Sequence, residues 1–438
     1  MDEITWLEKR LSGLSLDAYE IYAIESRQFS AEAKDGQIDT VDEAVERGVA
    51  VRLFKGRRVS FGSVSGFDAA FLERMVDLAY NSLSVVEEGV VPELPSAGAP
   101  VGPPPETGSR DRAAKLQMAL DLEKHAKQFD KRISRVRDAT YAEELRTVTI
   151  KNSRGLESRH GASRYELSLM AMAEDGGGSE MAWESDFAAR VEGLDPARAA
   201  REAAEKAVSQ LGGKPTATRR CPVVLDAMVA ASFLGVLSSS FFGDQVLKNR
   251  SSLAGKLGQT VYAPSVTIVD DGRLEGAYNS FPFDAEGVAT ERRAVVQGGV
   301  LKAFLYDLIA AAQAGARSTA NGVRLSFKEP PRVGATNFFI EGGDKSLEEL
   351  LATMGSGFWV RDVIGVHTAD AVTGDFSLGA SGIWMEGGKR AHPVRGVTVS
   401  GNLHELLKRV VAVGRDVRRY HAYGAPPLLI EGIDVGGT

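Results

Sequence analysis

Histidine is the first residue type to weigh for chemistry, because a helix-borne zinc site needs two ligands about one turn apart on the same face. The chain has six histidines, His125, His160, His367, His392, His404 and His421, and none lies within five residues of another. His404-Glu405 opens like a zinc-binding helix but continues Leu406-Leu407-Lys408. It is therefore read as a surface histidine beside a capping glutamate. Any metal site would have to be assembled from scattered histidines and carboxylates. Gly379-Ala380-Ser381-Gly382-Ile383 has the second glycine one place early for a nucleophile elbow. Ser238-Ser239-Ser240 falls inside an expected helix with no base nearby. Cys221, the single cysteine, adjoins an apolar run and is read as structural.

Carboxylates are more suggestive. Asp270 and Asp271 end an expected strand, Asp284 and Glu286 sit in Ser280–Gly287, and Asp375 lies in Thr373–Ser377. Arg317 in Arg317-Ser318-Thr319 offers a cation. Taken singly, Asp beside Gly after a strand is ordinary turn chemistry. Taken together, these residues are expected to line one cleft.

The elements that must position them read as α+β: an N-terminal α/β domain, a central α/β segment, and a β-rich C-terminal domain with antiparallel sheets and flanking helices. Residues 1–88 hold a strand at Tyr19–Ile24, a hairpin of Arg47–Phe54 and Arg57–Val64, and a helix capped by Asp68. Residues 89–111 form a linker, since six prolines between 92 and 105 exclude a helix or central strand. Residues 112–220 open with a helix at 112–129, turn at Asp175–Gly178, and include a second helix that Asp195-Pro196 starts and Gly212 ends. Residues 221–438 begin with strand Pro222–Leu225 and a buried helix over Ala227–Phe242. A β-rich run at 261–306, a short helix at 307–314, helices at 347–354 and 403–413 started by capping boxes at Ser346/Glu349 and Asn402/Glu405, and a strand at Leu428–Val435 complete it.

The bulk numbers exclude several classes. A net charge of -7 gives no electrostatic basis for nucleic-acid or anionic-membrane partners. One cysteine forbids an intrachain disulfide, the N-terminal stretch is acidic, and no apolar run is long enough to span a bilayer. A cytoplasmic protein is expected.

Gly48–Phe61, Val266–Gly272, Ser280–Thr290, Arg317–Asn321, Val397–Leu403 and Pro427–Gly437 together resemble the TldD/PmbA family, in its PmbA (TldE) branch. The most specific run is Val372–Gly388, which contains Thr373, Asp375, Phe376, Ser377 and Ser381. The resemblance covers nearly the whole chain. It implies three domains, a dimer with an internal cavity, and membership of a metallopeptidase family active in peptide maturation and degradation, once labelled modulators of DNA gyrase.

In that family the TldD-type subunit carries His-Glu-x-x-x-His and a C-terminal cysteine. Aligned on Gly243-Asp244, those positions fall here on Leu234, Gly235 and Ser239; aligned on Pro222–Leu225, they fall on Gly235, Val236 and Ser240. Arg418–Pro427 has His421 but no cysteine. Leu, Gly and Ser cannot replace imidazole and carboxylate on zinc. The resemblance thus implies a chain without catalytic residues or cofactor of its own, and zinc in a TldD-type partner. Its share would be to bind unfolded peptide, with the Thr373–Ser381 segment and the carboxylates as candidate contacts. Two other readings are a homodimeric zinc metallopeptidase active by itself and a chaperone-like peptide-binding regulator.

Overall fold

A computed structural model of the chain describes residues 3–96 and 111–437. Helix α1 (Glu3–Ser12) precedes three strands, β1 (Ala18–Lys34), β2 (Gln37–Lys55) and β3 (Arg58–Ser65), and helix α2 (Ala69–Ser82). Helix α3 (Arg112–Phe129), strands β4 (Ile133–Asn152), β5 (Glu157–Glu174) and β6 (Ser179–Ala188), and helix α4 (Pro196–Gln210) follow. The six strands form one antiparallel sheet in the order β3-β2-β1-β4-β5-β6. Residues 1–88 and 112–220 therefore share a sheet through the β1–β4 pairing. The described part of the 89–111 linker carries no helix or strand, and Leu94 is buried against Ala18 and Phe54. Residues 97–110 of that linker lie outside the described residues.

Strand periodicity decides what each face of this sheet meets. Odd-numbered β1 residues Ile21, Ala23, Phe29 and Ala31 point to the helices. Leu7, Leu11, Leu72 and Val76 of α1 and α2 pack at one end, and Leu122, Ala203 and Ala207 of α3 and α4 at the other. Even-numbered Tyr22 and Ile24, with Val148 and Ile150 of β4, meet Phe283 and Phe327 of the C-terminal half. Asp68 accepts hydrogen bonds from the Ala70 and Phe71 amides, and Asp195 caps α4 with Pro196 in its first turn.

The C-terminal half holds two six-stranded sheets. One runs Lys389–Asn402, Asp375–Glu386, Gly357–Ile364, β7 (Arg219–Leu225), Leu428–Gly436, Val410–Val413. The other runs Val300–Leu301, Arg292–Gln297, β8 (Ile268–Asp271), Phe338–Ile340, Tyr423–Ala425, Arg418–Tyr420. Both are mixed rather than purely antiparallel, because β7 pairs in parallel with Gly357–Ile364 and Phe338–Ile340 with Tyr423–Ala425. Helix α5 (Ala227–Leu237) lies between the sheets, against Tyr423–Ala425 and Gly357–Ile364. The molecule is α+β with a β-rich C-terminal domain.

Several elements differ from the sequence expectation. The helix after β7 stops at Leu237 and continues as a 3-10 turn over Ser238–Phe241. Helix Leu403–Lys408 is shorter than expected, because the β-branched run Val410–Val413 joins the sheet. Asn402 caps that helix, but Glu405 bonds Lys408 instead of returning to the Asn402 amide. The box at Ser346/Glu349 is reciprocal. Much of 261–306 is irregular, with β8, Arg292–Gln297 and Val300–Leu301 as its strands.

Candidate functional site

Helix α5 follows β7 directly and is capped by Asp226, whose side chain accepts from the Met228 amide. Its residues are small or apolar on nearly every side, as suits a helix enclosed by two sheets. Leu234, 2% exposed, faces a void of about 10 Å³ walled by Leu225, Phe233, Leu406, Leu407 and Ile430. A void of that size and lining stays dry. Gly235 faces the Tyr423 ring, and a Cβ there would lie 3.3 Å from Tyr423 Cδ2. The ring is held by a 3.0 Å hydrogen bond between its hydroxyl and Ser238 Oγ. Ser238 Oγ also lies 2.7 Å from the Gly235 carbonyl. Ser239 Oγ donates to the Ala371 carbonyl at 3.3 Å. In the alternative alignment, Val236 packs on the core and Ser240 Oγ sits 3.4 Å from His404 Nε2. Neither triplet converges on a shared space. Among the described residues, no three His, Cys, Asp or Glu side chains gather as a metal site requires. The donor set on α5 does not fit zinc.

Three family models match successive parts of the chain: PmbA/TldA metallopeptidase domain 1 over residues 19–83, the central domain over 105–211 and the C-terminal domain over 218–437. The chain belongs to the PmbA/TldD metallopeptidase family. Metalloprotease PmbA of Escherichia coli O157:H7 is 27% identical over 410 residues, covering 92% of this chain and 88% of that protein. A candidate modulator of a DNA gyrase from Thermotoga maritima, solved by crystallography, is 29% identical, with a TM-score of 0.87 over 99% of this chain and 100% of that one. The crystal structure of TldE from Thermococcus kodakarensis shares the fold at a TM-score of 0.90, with 20% identity and full coverage of both chains.

Within this family fold the sequence-predicted carboxylates do not line one cleft. Asp270 is buried, accepting from Asn321 Nδ2 at 2.7 Å and the Thr336 amide at 2.8 Å, so it ties two loops together. Burial pushes its carboxyl up against those hydrogen bonds. Asp271 accepts from the Arg273 amide. Asp284 takes three amides, from Glu286, Val288 and Gly322. Glu286 is fully enclosed and accepts from Arg52 Nη1 and the Leu308 amide, each at 2.7 Å. Burial drives both carboxyls upward, with Glu286 adding to the shift at Asp284 and the Arg52 guanidinium opposing it at Glu286. Arg317 is exposed after helix Leu308–Ala314.

The Thr373–Ser381 segment lies elsewhere. Thr373 and Asp375 are exposed, and Asp375 accepts from Asn402 Nδ2 at 2.8 Å. Hydrogen bonds from Asn402 and Thr373 hold the Asp375 carboxyl below its usual range. Phe376 is buried on Phe233, with ring centroids 5.1 Å apart, while Ser377 is exposed and Ser381 half-buried. From Asp375 onward this segment is a strand paired with Lys389–Asn402, and from Gly379 onward it also pairs with Gly357–Ile364. Among the described residues, Asp375–Leu378 thus pair with a strand on one side only.

His404, His421 and the cysteine weighed in the sequence take structural positions, and further residues had no sequence signal. His404 is buried rather than on the surface, with Nδ1 2.8 Å from Tyr262 Oη and Nε2 2.8 Å from Ser252 Oγ. Burial, reinforced by Lys256 and Lys408, lowers its pKa to about 4, so it is neutral near pH 7. Cys221 is buried in β7, and burial pushes its thiol up, away from nucleophilic use. His421 lies at a backbone φ of 52° beside Phe187, with ring centroids 4.2 Å apart. Tyr423, Arg52 and Arg324 carried no motif. Their importance depends on contacts with residues far away in the chain.

Proposed function

We propose that this chain is a non-catalytic PmbA/TldE-type subunit that pairs with a zinc-bearing TldD-type subunit and holds unfolded peptide for cleavage or maturation in the cytoplasm. The observation that carries the reading is the inside of α5. Leu234, Gly235 and Ser239 offer no imidazole or carboxylate, and Tyr423 occupies the space over Gly235. The single cysteine accords with a reducing compartment.

Peptide is held by strand addition, which needs an edge with unpaired backbone groups. The outer edge of β2 over residues 37–47 supports this use: β3 pairs only with Gly48–Lys55, and no other described strand borders the rest. That edge joins the Thr373–Ser381 segment as a candidate peptide contact.

The test is cleavage of an unstructured peptide, with zinc supplied, by the purified chain alone, by a TldD-type partner alone and by the two together. Cleavage that needs the partner and is raised by this chain is expected. Zinc-dependent cleavage by this chain alone would overturn the proposal.

A further inference from the structure

The even-numbered face of the first sheet packs against Phe283 and Phe327 of the C-terminal half at its Tyr22–Ile24 end. Farther along, the same face opens into a groove of about 270 Å³, roofed at one side by Tyr278. Strand pairing fixes its floor. Asp42 lies opposite Ser30, Ser30 opposite Ala142, Ala142 opposite Glu166 and Glu166 opposite Phe187. Directly opposed residues share a face. The row therefore places a carboxylate on each side of two small residues, and the missing side-chain bulk at Ser30 and Ala142 makes the hollow.

The neighbouring row, Ala44, Gln28, Glu144 and Arg164, adds a third carboxylate and one cation. That cation is already engaged. Arg164 donates to the Tyr278 carbonyl and to Asn279 Oδ1, lies 3.4 Å from Glu144, and sits over the Tyr278 ring at 4.9 Å. Glu144 also accepts from Ser26. Glu166 differs: it is half-buried and, among the described residues, makes no hydrogen bond or ion pair. Burial alone pushes its carboxyl up. An unpaired carboxylate beside a hollow gains from a cation delivered into the hollow. The far wall is the Tyr278 ring, which Phe187 and His421 brace edge-on from behind. Such walls suit the aliphatic stem of a long basic side chain and, through cation–π attraction, its head.

We propose that this groove is a subsite for a basic side chain, lysine or arginine, of an extended peptide, with Glu166 and Asp42 as the recognising carboxylates. It rests on the peptide-binding reading above and deepens it. Asp42 and Ala44 belong to the part of β2 whose outer edge is open, so the groove lies on the same sheet face as alternate side chains of a strand added there and begins one strand in from it.

The experiment measures affinity of the full chain for three short unstructured peptides: a blocked peptide with a central lysine, the same with norleucine, and the norleucine peptide with a free amino terminus. The lysine peptide is expected to bind about tenfold tighter than blocked norleucine. The double variant Glu166→Gln, Asp42→Asn is expected to erase that preference. Ala142→Lys, which supplies its own ammonium to the hollow, is expected to erase it as well. Equal binding of lysine and norleucine peptides overturns the subsite and leaves the peptide-binding reading standing. A gain only from the free terminus, or a preference that survives both variants, overturns the subsite too. No binding of any peptide overturns both.

Discussion

Helix α5 and the joint between the first sheet and the 284–324 region have opposite chemistry in equally buried surroundings. The resemblance to TldD-type chains would put catalytic ligands on α5, yet its inside is apolar and dry around Leu234 and covered by Tyr423 at Gly235. The joint holds the two halves together and concentrates charge: Glu20, Arg52, Glu286 and Arg324 are all buried. Arg52 bridges Glu20 and Glu286, and Arg324 Nη2 reaches Glu20 at 2.9 Å. Buried charge in this chain thus fixes how the halves meet. Helix α5, by contrast, is apolar core.

The contrast is most easily broken at Arg52. Arg52→Met leaves two buried carboxylates without their shared cation and is expected to cost about 3–5 kcal/mol, read by urea unfolding. A loss below about 1 kcal/mol would place the joint among ordinary surface pairs. Replacing the four charged residues together by apolar ones of similar volume is expected to cost much less than Arg52→Met alone.

His404 gives a pH-dependent test on the α5 side. Its folded pKa of about 4 lies below the ordinary 6.5, so the folded state disfavours the proton. The stability it contributes is present above pH 6.5 and is lost as pH falls from there through about 4, by up to about 3 kcal/mol. His404→Gln is expected to flatten the urea midpoint across that window. An unchanged slope would mean that the imidazole is not held neutral.

A smaller effect defines the role of Tyr423. Gly235→Leu forces the ring aside and is expected to cost about 1–3 kcal/mol, with Tyr423→Ala relieving part of that loss in a double-mutant cycle. Additive losses would show that the ring does not set the space over Gly235. Smallest is the exposed pair Arg220–Asp434, 3.0 Å apart, whose removal is expected to change stability by less than about 1 kcal/mol.

Local signals were legible where local chemistry decides the outcome. Asp68, Asp195 and Ser346 start the helices their spacing announced, and Arg112–Phe129 is a helix over the expected range. Tyr19–Ile24 announced a strand but not its length, because the polar residues beyond it face the open groove rather than a core. Val410–Val413 was claimed by a sheet that its own helix-like neighbours could not reveal. The site was harder to read for the same reason. Asp284 and Glu286 stand in a sequence that looks like a cleft. Their partners, the Gly322 amide and Arg52, come from distant parts of the chain and turn them inward. Alternation along β1 marks two faces, but pairing alone brings Asp42 and Glu166 to opposite sides of Ser30 and Ala142.

That α5 cannot hold the family's zinc is tested most directly by metal analysis of the purified chain after equilibrium with excess zinc and dialysis. Zinc is expected far below one equivalent per chain, unchanged by Ser239→Ala. Stoichiometric zinc that survives dialysis, and is lost on substitution of residues in α5 or in Arg418–Pro427, would contradict an α5 that is apolar core.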